Sequence, residues 1–224
     1  MRIGSAPGGT RIELTMPDST KPSPTRVWLL RHGEPQESVR GRCYGSLDIE
    51  LSPEGMRQFE SAAALLSREP LAAIYTSPRL RCSQSAKILA AAHRCPIETV
   101  DELSEIHFGD FEGLTYDRIE TLYPSLYRTW MERPTEMQFP GGESFTEMWY
   151  RVTQAASAIR NRHEGQSIAL VTHGGVIRIL IAEALAIPRN HIFRIAQRHA
   201  AVNLISYIDR FPIVELLNAT AALE

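Results

Sequence analysis

The stretch VWLLRHGE, residues 27–34, decides the fold class of this chain. Its apolar beginning, VWLL (27–30), predicts a buried strand that stops where RHG (31–33) supplies a guanidinium, an imidazole and a glycine. A second apolar run, SIALV (167–171), ends in the same manner at THGG (172–175). Because ligands of open α/β sheets bind where parallel strands end, we expect both endings to face one crevice if these strands are parallel neighbours.

Outward from these two strands, apolar runs alternate with helix-start signals. SPE (52–54) combines an N-cap serine, a proline at the first helical position and an early acid, and SP (77–78) repeats this start. This alternation predicts an α/β fold, a three-layer sandwich with a mostly parallel central sheet and helices on both faces. The predicted helices are 53–68, 78–93, 144–159 and 175–186, with short helices around 115–131 in an irregular segment, 101–142, and the predicted strands are 27–30, 72–76, 96–100, 167–171, 201–208 and 213–217.

The length of 224 residues fits one domain. Residues 1–26 are rich in Gly, Pro, Ser and Thr and lack the apolar core of a signal peptide, so we expect a mobile N-terminal tail followed by a single domain over 27–224. No run approaches the ~18 apolar residues of a membrane span. Cys43, Cys82 and Cys95 form no CxxC pair, which argues against disulfides and zinc and favours a cytoplasmic location.

The charged residues limit the partners. The formal net charge of −2 does not favour nucleic acid or an anionic membrane surface. The basic side chains are nearly all arginine, with Lys21 and Lys87 as the lysines. A codon bias explains such an excess as a whole, but arginine is also the better bidentate ligand for phosphate.

His32, at the end of the first strand, is a candidate nucleophile. Neutral imidazole is nucleophilic near pH 7 when a hydrogen bond fixes one ring nitrogen and the other points at the substrate. Gly33 lets the backbone come close enough to supply that bond, and Arg31 brings a planar fork for phosphate oxygens. A lone histidine is more often structural, but the Arg and Gly beside this one favour a site.

The second strand end adds an anion-binding helix start. Gly174 opens a helix whose free N–H groups and dipole attract an anion, so we expect Gly174 to contact phosphate. A protonated His173 would add charge there; alternatively, His173 caps its own helix. Arg79 and Arg81, near the helix start at 77–78, are both candidates for the same anion. Such a set neutralises a transferring phosphoryl group without a metal.

A leaving alkoxide also needs a proton, which a nearby carboxylic acid can supply. Glu34, Glu105, Asp110 and Glu112 are all candidates on sequence grounds. Their spacing does not choose between them.

In order along the chain, these motifs resemble the histidine phosphatase superfamily, also called phosphoglycerate mutase-like. RHG alone is a weak pattern, but the ordered set spans about 27 to 220 and is specific. The matching blocks are LLRHGE (29–34), LSPEG (51–55), SPRLR (77–81), LSEIHFGDFEG (103–113), GGES (141–144) and VTHGG (171–175).

The resemblance implies a role for each matching residue. His32 would be the phosphorylated nucleophile, and Arg31, Arg81 and His173 would complete the phosphate pocket. Glu105 would protonate the leaving alcohol and then act as base when water attacks the phosphohistidine. The resemblance also implies a small phosphorylated metabolite as partner, no cofactor and no metal. Dimers occur in the superfamily, so a homodimer is one expected state.

Two positions depart from the family pattern. Many members have Thr or Ser two residues after the glycine and Asn three further on, where this chain has Pro35 and Ser38. Ser38 keeps a hydroxyl and is predicted to bind phosphate, whereas Pro35 stiffens the loop and removes a donor. Arg40 and Arg42 follow and are candidates to compensate, the alternative being that both are solvated.

Within the superfamily, the acid block EIHFGDFE (105–112) is similar to that of the alpha-ribazole phosphatases of cobalamin biosynthesis. Broad-specificity phosphatases of sugars and small metabolites carry nearly the same block. A phosphoglycerate mutase is an alternative, but 114–139 is shorter and less basic than the mutase segment there. A catalytically dead binding module conflicts with the intact motif set, and a metal site built on His32 and His173 lacks Asp or Cys co-ligands.

The leaving-group pocket is expected between the 36–47 loop and the irregular segment 101–142. Tyr44, Trp130 and Phe139 are candidates to stack on a ring, although aromatic residues there are more often core. Arg198 and His199, just before a late strand, are candidates for the rim.

Overall fold

The computed structural model describes residues 23–220. The strands are β1 (Thr25–Arg31), β2 (Leu71–Thr76), β3 (Ile97–Thr99), β4 (Ser167–Thr172), β5 (Val202–Ile208) and β6 (Phe211–Ala219). They form one sheet in the order β3-β2-β4-β1-β5-β6. The first four strands of this order are parallel to one another, whereas β5 pairs antiparallel with β1 and β6 pairs antiparallel with β5.

The helices are α1 (Pro53–Leu65), α2 (Leu80–Ala90), α3 (Tyr116–Leu122), α4 (Pro124–Glu132), α5 (Phe145–Asn161) and α6 (Gly174–Ala184). They cover both faces of this sheet, so the predicted three-layer α/β sandwich is confirmed. Alternate side chains explain the layering, because Leu30 and Val171 pack with α1 and α2, whereas Leu29 and Leu170 pack with α5 and α6.

Local caps set the helix starts. The Ser52 hydroxyl accepts from the Gly55 N–H, as the serine-proline signal predicts. Ser144 and Glu147 form a reciprocal capping box at the start of α5. α2 begins at Leu80, two residues later than predicted, with Arg79 as its N-cap residue, and the Ser77 hydroxyl hydrogen-bonds the His173 ring.

The first strand also begins earlier than predicted. Thr25 and Arg26, which were expected to belong to the mobile tail, are part of β1 and pair with β5. Of the rest of that expected tail, Ser23 and Pro24 precede the strand, and residues 1–22 lie outside the described residues. Within 23–220, no helix is both long and apolar enough to cross a bilayer.

Candidate active site

The two similar strand ends meet at one edge of the sheet. β1 and β4 are parallel neighbours, with Arg31 aligned to Thr172, and the His32 N–H donates to the Thr172 carbonyl over 3.0 Å. The His32 and His173 ring centroids are 5.3 Å apart. The crevice expected from the sequence is therefore present, and both imidazoles face it.

His32 is held as a neutral imidazole. Its Nδ1–H donates to the Gly33 carbonyl over 2.7 Å, which leaves Nε2 without a hydrogen-bond partner among residues 23–220. Burial, with the positive charges of Arg81 and Arg31, lowers the pKa of His32 well below its ordinary value. A neutral imidazole with one fixed and one free nitrogen is suited to nucleophilic attack.

His173 is held differently, by side chains of a neighbouring element. Its Nε2 lies 2.8 Å from the Ser77 hydroxyl and 3.4 Å from the Cys82 sulfur. Although His173 is the N-cap residue of α6, its side chain makes no capping hydrogen bond. Burial, followed by the charge of Arg81, lowers the pKa of His173 as well, so the positive charge expected on this ring is not supported.

Two guanidinium groups complete the cavity. Arg81 is fully buried and donates to the backbone carbonyls of Leu47, Tyr44 and Gly45 over 2.8–3.1 Å. Arg31 donates to the Gln197 carbonyl over 2.6 Å. The Nε–H of each arginine is nonetheless buried and has no partner among the described residues. A buried unpaired donor costs about 1–3 kcal/mol, and each guanidinium keeps one donor that the described residues leave unsatisfied.

Glu105 is the carboxylate that lies in the cavity wall, among the four candidates from the sequence. Its oxygens accept from the Ile106 and Gly175 N–H groups, each over 3.0 Å. Gly175 lies in the first turn of α6, so the second strand end also positions the carboxylate. Glu112 instead accepts from the Ser46 and Phe108 backbone.

The segment that carries Glu105 is fixed by an arginine that the sequence did not reveal. Arg151 on α5 donates to the carbonyls of Glu102, Ser104 and Glu105 over 2.6–3.2 Å. Its guanidinium also pairs with Glu143 at 2.5 Å. The EMWYR run gives no signal for this contact, since it depends on where the irregular segment folds back.

The cavity has a volume of about 150 Å³. Tyr44 and Arg42 lie in its wall, whereas Trp130 and Phe139 pack with Phe108 and Phe111 in the core. The lining residues are Arg31, His32, Arg42, Cys43, Tyr44, Gly45, Arg81, Glu105, Phe108, Tyr116 and His173.

Three predicted residues stand outside this wall. Ser38 is exposed in a short 3-10 helix at 37–39 and does not line the cavity, so the predicted phosphate contact is not supported. Gly174 begins α6 and does not line the cavity. It lies next to a residue that does, since a Cβ at Gly174 would be 3.5 Å from the Arg31 Nε. Arg79 faces a separate groove.

His199, expected at the rim, lies next to the nucleophile candidate. Its ring centroid is 5.6 Å from that of His32, and its Nε2 accepts from Arg31 over 3.1 Å. Burial and the charge of Arg31 lower the pKa of His199 to about 3. The neighbouring Arg198 is exposed, and its N–H donates to Asn218.

Two imidazoles, two guanidiniums and one carboxylate surround the small cavity, and groups of these kinds suit a phosphoryl group. Residues 27–220 match the histidine phosphatase superfamily (branch 1), and the chain belongs to that family. The chain is therefore a phosphatase, as the names of its relatives also indicate. Among residues 23–220, no group of three or more His, Cys, Asp and Glu side chains is placed to hold a metal ion.

Individual relatives differ in the substrates that their names state. The chain is 31% identical to phosphoserine phosphatase 1 of Hydrogenobacter thermophilus, over 88% of this chain and 94% of that protein. It is 26% identical to the adenosylcobalamin/alpha-ribazole phosphatase of Salmonella typhimurium, over 88% and 97%. The crystal structure of the alpha-ribazole phosphatase from Shigella flexneri aligns with a TM-score of 0.79 at 26% identity, covering 87% of this chain and 96% of that one.

Proposed function

We propose that this chain hydrolyses small phosphomonoesters through a phosphohistidine on His32, without a metal ion. The observation that carries the proposal is the wall of one cavity, in which Arg31 and Arg81 lie with His32. His32 Nε2 has no hydrogen-bond partner among the described residues, and the ring is neutral. Anion donors beside a neutral nucleophile are what phosphoryl transfer requires.

The first step transfers the phosphoryl group to the protein. His32 Nε2 attacks phosphorus, a P–N bond forms, and the P–O bond to the leaving alcohol breaks. Arg31, Arg81 and His173 stabilise the charge on the equatorial oxygens. The Glu105 carboxyl group, held by the Ile106 and Gly175 N–H groups, donates a proton to the leaving oxygen.

The second step releases phosphate. Glu105, now a carboxylate, takes a proton from a water molecule whose oxygen attacks phosphorus. The P–N bond breaks, and the electron pair returns to His32 Nε2. Inorganic phosphate leaves, and both residues are restored to their initial protonation states, so the cycle balances without a cofactor.

Alpha-ribazole 5′-phosphate is one specific substrate that we propose to test. The similarity to the Salmonella and Shigella enzymes supports it, as does the block at 105–112. Phosphoserine is a second candidate, which the Hydrogenobacter relative favours at somewhat higher identity. A broad-specificity phosphatase of sugar and metabolite phosphates accommodates both.

The test is phosphate release from a panel that contains alpha-ribazole 5′-phosphate, phosphoserine, phosphoglycerates and sugar phosphates, with and without a chelator. We expect turnover that the chelator leaves unchanged. The matched control for the site variants described below is Arg57→Gln, which should keep this turnover. Arg57 is an exposed arginine on α1 that pairs with Glu54. Interconversion of phosphoglycerates without phosphate release would identify a mutase instead, and loss of turnover in chelator would contradict the metal-free mechanism.

A further inference from the structure

Arg79 and Arg81 lie two residues apart but face different spaces. Arg81 lines the phosphate cavity, whereas Arg79 lines a groove of about 940 Å³. Glu105 belongs to the walls of both spaces, so the cavity and the groove meet at the proposed proton donor. A leaving group that receives its proton from Glu105 would therefore extend into the groove.

The Arg79 guanidinium is not used by the fold. It forms no hydrogen bond and no ion pair with any residue in the described part of the chain, although the side chain is half-buried. Its Nε–H is buried and unpartnered, like those of Arg31 and Arg81. As the N-cap residue of α2, Arg79 makes no side-chain capping bond either. Each of these three guanidiniums therefore keeps an Nε–H that the described residues do not satisfy, and the side chain of Arg79 also lines the groove.

Three of the four carboxylates that line the groove have other partners, and the fourth, Asp101, forms no ion pair within residues 23–220. Glu143 pairs with Arg151 at 2.5 Å, and Glu147 accepts from both the backbone and the hydroxyl of Ser144 over 2.7 Å. Glu105 accepts from two backbone N–H groups. The positive charge of Arg79 is therefore not matched by a contacting carboxylate, and a bidentate anion would be a suitable partner.

We propose that Arg79 binds a second anionic group, a carboxylate or a second phosphate, on the leaving group of the substrate. This inference rests on the proposed phosphatase function and narrows its substrate class. Phosphoserine and phosphoglycerates carry such a group. Alpha-ribazole itself carries no anionic group, so this inference favours the acidic metabolites over alpha-ribazole 5′-phosphate.

The test compares substrates in matched pairs that differ by the second anion. Phosphoserine against phosphoethanolamine and 3-phosphoglycerate against glycerol 3-phosphate test the carboxylate. Fructose 1,6-bisphosphate against fructose 6-phosphate tests the second phosphate. We expect the wild-type enzyme to have the higher kcat/KM for the member that carries the second anion, either in the carboxylate pairs or in the phosphate pair. The pair that shows this preference identifies whether the second anion is a carboxylate or a phosphate.

The same ratio is then measured in Arg79→Gln, with Arg57→Gln as the control. The selectivity ratio is kcat/KM for the member with the second anion divided by kcat/KM for the member without it. We expect this ratio to fall about 10- to 100-fold in Arg79→Gln, the range of one charge-assisted hydrogen-bonded contact, and to remain unchanged in the control. Arg79→Lys, which keeps the charge without the fork, should retain part of the ratio.

An equal fall for both members of each pair would overturn the inference, because Arg79 would then act on the transferring phosphate or on folding. A wild-type enzyme without preference in any pair, or an unchanged ratio in Arg79→Gln, would overturn it too. Failure of the phosphatase function is distinguishable, since no member of any pair would then release phosphate.

Discussion

The turns that follow β1 and β4 have nearly the same sequence but hold their histidines in different ways. His32 is fixed through Nδ1 by the carbonyl of its own neighbour, Gly33, at 2.7 Å. His173 has Nε2 at 2.8 Å from the Ser77 hydroxyl and at 3.4 Å from the Cys82 sulfur. His32 is therefore fixed through Nδ1, which leaves Nε2 free, whereas His173 is fixed through Nε2.

This difference separates two chemical roles that the sequence motif does not distinguish. A nucleophile needs an unprotonated nitrogen that faces the substrate, which His32 provides. A ring whose Nε2 is held by a neighbouring hydroxyl is suited to fixed polar stabilisation of the transferred group. The proposed mechanism assigns the nucleophile to the first turn and charge stabilisation to the second.

The glycines of the two turns also differ. A Cβ at Gly33 would lie 2.1 Å from the Gly55 carbonyl oxygen, so any side chain there displaces backbone. A Cβ at Gly175 would lie 2.2 Å from a Glu105 carboxylate oxygen, which is the end of a flexible side chain. The first glycine thus serves the packing of the turn, and the second serves the position of the proposed acid.

Replacing His32 is the change with the largest expected effect. In His32→Ala we expect kcat to fall about 10⁴-fold or more, because no other side chain can take the covalent role. The measurement is steady-state phosphate release. Circular dichroism and thermal unfolding close to those of the wild type show that the fold is intact, and activity within tenfold of the wild type would break the comparison.

His173→Asn should be less severe. Loss of a preorganised donor at the transferred phosphoryl group lowers kcat about 10²- to 10³-fold, but the protein still forms a phosphoenzyme. Rapid-quench experiments with radiolabelled substrate measure the rate and the stoichiometry of labelling. A variant that retains no label at any time, despite a native fold, would mean that the second turn supplies the nucleophile.

Gly175→Ala tests the link between the second turn and the acid. The new methyl group displaces the Glu105 carboxyl group, so we expect kcat to fall about 10- to 100-fold for alkyl phosphates. The loss should be smaller with p-nitrophenyl phosphate, because that leaving group departs without a proton. Glu105→Gln is the reference, and an equal loss on both kinds of substrate would argue against an acid held by this glycine.

The smallest expected effect is on the pH dependence of the free energy of unfolding. Both turns bury a neutral imidazole, and His199 beside them is a third. The pKa values of His32 and His173 are lowered, and that of His199 is lowered to about 3. The unfolded chain therefore binds more protons below its ordinary histidine pKa, and the free energy of unfolding falls as pH falls through about 6.5. Each such histidine contributes about 1.4 kcal/mol of loss between pH 7.5 and 5.5.

Urea unfolding of the wild type and His199→Asn at those two pH values checks this expectation. On acidification, the free energy of unfolding of the variant should fall by about 1.4 kcal/mol less than that of the wild type. An equal loss would show that His199 is protonated in the folded state.

The parts of the fold that the sequence predicted depend on local signals. VWLL and SIALV are continuous apolar runs because helices cover both faces of β1 and β4. Since the two strands are parallel neighbours, the residues that follow each run lie together at one edge of the sheet. The serine caps at Ser52 and Ser144 also act within one turn of chain. The placement of both histidines followed from these elements alone.

The rest of the site depends on contacts between distant segments. The choice of Glu105 came from the family resemblance, because its carboxylate is placed by Gly175, which is 70 residues away. The nearness of His199 requires the antiparallel pairing of β5 with β1. Ser38 was assigned by its alignment to a motif, but its short helix turns the side chain to solvent.

The central claim is that the first strand end, and not the second, accepts the phosphoryl group. Brief reaction with ³²P-labelled substrate, alkaline quench and peptide mapping by mass spectrometry identify the modified histidine. We expect an acid-labile, base-stable label on His32 in the wild type and in His173→Asn, and none in His32→Ala. A label on His173, or a label that persists in His32→Ala, would contradict the account.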